Sequence, residues 1–98
     1  MKHFLCKFIP PRPDFLQTLT SAERDLMQAH VLFMDELVAQ RLIVAHGPVD
    51  DPAGGWGLSL YEVPDDHDVA ATTSQDPMVT AGGARYEIYP MRRLTARG

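Results

Sequence analysis

The first run of the chain, "KHFLCKFI", crowds aromatic and branched residues together until Pro10-Pro11 stops it, which predicts a β-strand over roughly 2–9. Strand alternation sends Phe4, Cys6 and Phe8 to one face and His3, Leu5, Lys7 and Ile9 to the other. "PPRPDFLQTL" follows, and its three prolines in the first four positions forbid regular structure there. A different period then takes over. From Ser21 to Gln40 no glycine or proline intervenes, and Leu26, His30, Phe33 and Leu37 recur at helical spacing. At about 100° per residue these four fall within an arc of roughly 60°, flanked by Met27, Met34 and Val38. Thr20 and Glu23 form the capping-box pattern that starts such a helix.

"RLIVAHGPVDDPAGGWGLSLYEV" carries two apolar runs around a turn-rich middle, which predicts strands near 42–47 and 56–63 joined by a long hairpin. Asp65 or Asp66 caps a second, shorter helix over about 66–75, and Asp76-Pro77 closes it, because the residue before a proline is pushed out of the helical region. After Gly82-Gly83, "ARYEIYPM" alternates as a last strand. The order β-α-β-β-α-β in one domain over 1–98 implies an α+β, ferredoxin-like fold: one antiparallel four-stranded sheet with both helices on one face. The other face, with Leu5, Ile9, Leu58 and Ile88 or their alternation partners, still needs cover. A second copy supplies it most simply, two sheets packing face to face as a dimeric α+β barrel.

Composition narrows the function. Hydrophobic residues at 45% and charged residues at 22% are the balance of an ordinary globular protein. A net charge of −4, with basic residues clustered only at Arg92, Arg93 and Arg97, argues against nucleic acid. The N-terminal apolar run is broken by Lys7 and ended by prolines, too short for a secretory segment or a membrane span. The one cysteine, Cys6, cannot form an internal disulfide, which fits a reducing cytoplasm. No glycine-rich phosphate loop leads from a strand into a helix, so no nucleotide cofactor is expected. The four histidines lack ligand spacing, so no metal is expected either.

His30 is the residue that departs from the pattern. An imidazole on a buried stripe costs on the order of 1–3 kcal/mol unless something pairs with it. The topology gathers Arg12, the Gly47–Gly55 hairpin and Asp76 at one rim of the sheet, with His30 roughly 15 Å along the helix from its cap. A carboxylate such as Asp76 would accept from one ring nitrogen and leave the other free to take a proton from a ligand. The same pair also describes a core histidine whose hydrogen bonds are merely satisfied. Arg12 is either an anchor for an anionic ligand or an exposed loop arginine. His46 in "AHGP" is either a second polar group of the pocket or a solvent-facing strand residue. Trp56, Tyr61, Tyr86 and Tyr89 either line an aromatic wall or pack the strands.

"RP" at 12–13, "TSAERDLMQAH" at 20–30, "GPVDDPAGGWG" at 47–57, "DP" at 76–77 and "RYEIYPM" at 85–91 together resemble the YCII-related (YciI-like) proteins. The resemblance implies a dimeric barrel of ferredoxin-like halves and a His–Asp dyad in a pocket, which carries over to His30 and Asp76. It implies a small cofactor-independent enzyme of the lyase or isomerase type, working on a small phenolic or anionic molecule. In that reading His30 and Asp76 are catalytic, and Arg12, His46 and Trp56 contact the substrate. The alternative is a non-catalytic ligand-binding or accessory dimeric module of the same fold.

Overall fold

A computed structural model describes residues 1–98. The first strand alternates as its side chains demand: β1 (Lys2–Ile9) buries Cys6 and Phe8 and leaves Leu5, Lys7 and Ile9 only half-covered on the other side. The proline segment makes a single 3₁₀ turn at Phe15–Gln17, anchored by the buried Phe15 ring, where the sequence predicted no regular structure. Helix α1 (Ser21–Ala39) starts at the capping box, with Glu23 N–H donating to Thr20 Oγ1 at 3.1 Å and Thr20 N–H donating to Glu23 Oε1 at 3.0 Å. Its inward stripe is the expected one, with Leu37 buried and Leu26, His30 and Phe33 half-buried; of the flanking residues Met34 is buried and Val38 exposed. At its C-terminus Arg41 takes the left-handed conformation, φ 64°, so that Leu42 N–H reaches Leu37 O and Arg41 N–H reaches Val38 O, a Schellman closure.

Strands β2 (Ile43–Val49) and β3 (Trp56–Val63) form the predicted hairpin, and β4 (Arg85–Met91) ends the sheet. The order is β2-β3-β1-β4 and every pairing is antiparallel. This is the ferredoxin-like βαββαβ arrangement. Both edge strands carry a proline, Pro48 in β2 and Pro90 in β4.

Three expectations are corrected. The second helix is shorter than predicted, α2 (Val69–Thr73), and is capped by Asp68, which accepts from Ala71 N–H at 3.1 Å, rather than by Asp65 or Asp66. Asp76 does not simply end that helix; it caps a further turn, α3 (Pro77–Thr80), with proline at its first position. Ile88 sits opposite Cys6 and packs into the helix-side core, so it does not belong to the open face. That face carries Leu5, Ile9, Leu58 and Leu60, all half-buried within the chain alone, with Lys7 lying 4.5 Å over the Trp56 ring. No helix is long and apolar enough to cross a membrane.

Candidate functional site

The core divides into two clusters, one around Tyr61, Val63 and Met34, the other around Phe8, Phe15 and Met78. His30 stands beside the second. Its ring stacks on Phe8, centroids 4.3 Å apart at 30°, and Phe8 in turn meets Tyr86 edge-on at 5.6 Å. The α3 cap brings a fully buried carboxylate to the same place: Asp76 Oδ2 lies 2.6 Å from His30 Nδ1. Tyr86 O–H donates to the same oxygen at 2.5 Å, and Met78 N–H donates to Oδ1 at 2.9 Å.

This arrangement settles the tautomer. Burial first, and then the hydrogen bond to Asp76, push the Tyr86 phenol far above its usual range, so it keeps its proton and donates. Asp76 is therefore acceptor to a phenol, a backbone amide and the imidazole. His30 holds its proton on Nδ1, and Nε2 is left with a lone pair and no partner in the chain. His30 lines a cavity of about 460 Å³ between α1, the β2–β3 hairpin and the end of β1. The walls are largely apolar, made by Phe8, Phe15, Met27, Met34 and Pro48; Trp56 and Leu58 border the cavity too, although strand alternation places them with Lys7 on the open face. A base in such surroundings, with its second nitrogen fixed, can abstract a proton from a molecule seated against it.

The sequence-predicted residues divide. His30 and Asp76 are brought together; His46 and Trp56 both line the cavity with His30. Arg12 does not line it. Its guanidinium makes two bonds to Glu23, 2.7 and 2.8 Å, and two to Thr18, both 2.7 Å, so it ties the proline loop to the start of α1. Beside this guanidinium the Glu23 carboxyl falls to about 2. The outer recess, of about 540 Å³, shares Pro10, Phe15, Leu16, Asp50 and Gly55 with the cavity, and Asp14 and Asp51 complete its rim. It has no histidine or cysteine and forms the vestibule rather than the reactive part. Its carboxylates and the engaged Arg12 make a poor approach for an anion.

Two contacts of the site carry no local sequence signal. Tyr86 reads in the sequence as an aromatic for wall or packing, but its bond to Asp76 joins residues on different elements. Asp35, whose Oδ1 lies 3.2 Å from His46 Nε2, looks in the sequence like any solvated helix carboxylate. Deeper in, burial pushes the Cys6 thiol up to about 12, consistent with a core residue and not a nucleophile.

The YCII-related domain pattern matches residues 3–92. Among solved structures the chain is similar to 5-chloro-2-hydroxyhydroquinone dehydrochlorinase from Burkholderia phenoliruptrix AC1100, in complex with 2,5-dihydroxybenzoquinone. Identity is 22% and the TM-score 0.55, over 86% of this chain and 90% of that one. It also matches a formyltetrahydrofolate deformylase from Pseudomonas putida KT2440 at 17% identity and TM-score 0.43, over 90% of this chain and 28% of that one. Among proteins with curated descriptions none matches.

Proposed function

Because the chain belongs to the YCII-related domain family, we propose that it is a small acid–base enzyme of the lyase or isomerase type, working on a neutral hydroxylated ring with its own side chains and no cofactor. The observation that carries this reading is the His30 imidazole, pinned through Nδ1 by a buried carboxylate and lining an apolar cavity. His30 Nε2 takes a proton from a substrate hydroxyl or ring carbon. Asp76 holds the ring in the competent tautomer and balances the imidazolium that forms. His46 contacts the ring from the hairpin side, with Trp56 at the border of the cavity. The acidic vestibule favours a neutral phenol over the anionic substrate that the sequence left open.

The reading includes a homodimer. Helices cover one face of the sheet, and the half-buried Leu5, Ile9, Leu58 and Leu60 on the other are the surface a second copy would cover. A cytoplasmic setting, with no nucleic-acid or membrane partner, accords with the acidic charge and the lone cysteine.

The test uses the reaction of the structurally similar dehydrochlorinase. Supplied with 5-chloro-2-hydroxyhydroquinone, the protein is expected to release chloride, and His30→Asn to lower the rate by roughly 10²–10⁴-fold while the melting temperature and the dimer persist. Binding of 2,5-dihydroxybenzoquinone without turnover of any quinol or phenol would favour the accessory-module alternative. A rate flat from about pH 5 to 9 would count against a histidine base.

A further inference from the structure

We propose that His46 is the second proton-transfer group of the cavity, giving a proton from Nδ1 to one atom of the substrate while His30 removes a proton from another. The inference rests on the reading of His30 above and adds the partner that such a reaction needs. Isomerisation, and elimination with a poor leaving group, take a proton at one position and supply one elsewhere, and a second imidazole can deliver that proton while the first holds the one removed.

Three observations carry it. First, β2 is irregular at the right place. Ile43 lies opposite Tyr61 and is buried, so simple alternation would turn Ala45 inward and His46 outward. The register slips between Ile43 and Ala45, which places Ala45 opposite Leu60 and His46 opposite Ser59, on the helix side of the sheet. A β-bulge of this kind re-aims every later side chain of its strand, and here it aims an imidazole at the cavity that His30 lines. Second, His46 has its own carboxylate. Asp35 Oδ1 lies 3.2 Å from Nε2, so in its imidazolium form His46 donates Nε2–H to it and keeps Nδ1–H for a ligand. Third, His30 and His46 line the same cavity of about 460 Å³, which has room for one small ring.

The two pairs differ in a way that divides the labour. Asp76 is fully buried, whereas the Asp35 side chain is 60% exposed and His46 itself 25% exposed. His30 is therefore held as a sheltered base, and His46 exchanges protons with water. In the reaction the substrate bond to hydrogen breaks and its proton goes to His30 Nε2. The electron pair moves through the conjugated system, and the atom at the far end gains the proton of His46 Nδ1. If that atom is a leaving group, its bond breaks with the electron pair and it departs protonated. His30 then returns its proton to water and His46 recovers one from water, so the protein is unchanged.

Benzisoxazoles test this directly, being neutral bicyclic probes with a known demand. A base removes the ring C–H, its electron pair completes a nitrile, and the N–O bond breaks to a phenoxide that needs a proton. The phenoxide of 5-nitrobenzisoxazole departs without help; that of unsubstituted benzisoxazole departs poorly. His30→Gln is expected to slow both probes by at least about tenfold. His46→Gln is expected to slow the unsubstituted probe by about tenfold and the nitro probe less than about twofold. Asp35→Asn, at an exposed site, is expected to shift the same leaving-group dependence by a smaller factor. If His46→Gln matches the wild type on both probes while His30→Gln is impaired, the proposal is overturned and the His30 reading stands. Equal losses on both probes for His46→Gln and Asp35→Asn mean a packing role and overturn it too. A wild type no faster than His30→Gln overturns the reading of the site and this proposal with it.

Discussion

Asp76 is doubly engaged, as the cap of α3 and as the acceptor for His30 and Tyr86, and two substitutions separate these duties. Asp76→Ala strips the acceptor from the Met78 amide, the Tyr86 phenol and the His30 ring together. Each buried donor left unpaired costs about 1–3 kcal/mol. The Tyr86 hydroxyl has a fallback in Met34 Sδ at 3.5 Å, so the expected total is about 3–5 kcal/mol, the range for breaking a buried polar pair. That is a large part of the roughly 5–15 kcal/mol that holds a domain together. Asp76→Asn behaves differently. Its carbonyl can still accept from Met78 N–H, its two amide hydrogens meet Tyr86 Oη and His30 Nδ1, and the Tyr86 O–H turns to Met34 Sδ at 3.5 Å; the cost is about 1 kcal/mol, the difference between charged and neutral hydrogen bonds. The imidazole, however, must now accept at Nδ1 and carry its proton on Nε2, the atom that should abstract. Urea unfolding of both variants gives the energies, and ¹⁵N spectra of the imidazole give the tautomer. An alanine variant less than about 1 kcal/mol weaker than wild type, or an asparagine variant with the proton still on Nδ1, would refute this account.

Two further outcomes follow from the loop and the helix ends. The Glu23 carboxyl titrates at about 2 in the fold against an ordinary 4.5, so its contribution is present above pH 4.5 and lost as pH falls through 2. Wild type is expected to exceed Glu23→Gln in urea midpoint at neutral pH, with the gap closing below that window; a constant gap would contradict the Arg12 pairing. Arg41 pays for the Schellman closure with a left-handed backbone at φ 64°, and Arg41→Gly is expected to stabilise by about 0.5–1 kcal/mol, read as a melting point higher by roughly 2–8 °C.

Much of this architecture is written in local pattern. The stripe through Leu26, His30 and Leu37 and the Thr20–Glu23 box define α1, and alternation defines β1, because both signals lie within a few residues of what they describe. Topology made Asp76 one possible partner for His30 and the resemblance to the YCII-related proteins named the pair; in the fold the two lie 2.6 Å apart. What failed was of two kinds. Asp65, Asp66 and Asp68 are equally good caps by type, and only the backbone path selects Asp68. Arg12 found Glu23, and a long-range ion pair leaves no trace in hydrophobic period; of the two readings open for His46, the cavity one is selected by a register slip in β2 that leaves no trace there either. Ile88 was assigned to the wrong face for the same reason, since the first residue of β4 sets which side its alternation serves.

The two edge prolines limit how these molecules can meet. A sheet grows sideways by offering unpaired amides to a neighbour's carbonyls, and Pro48 and Pro90 each interrupt that row on one of its two borders. Ribbon-like accretion of copy upon copy is thereby discouraged at both borders of the sheet.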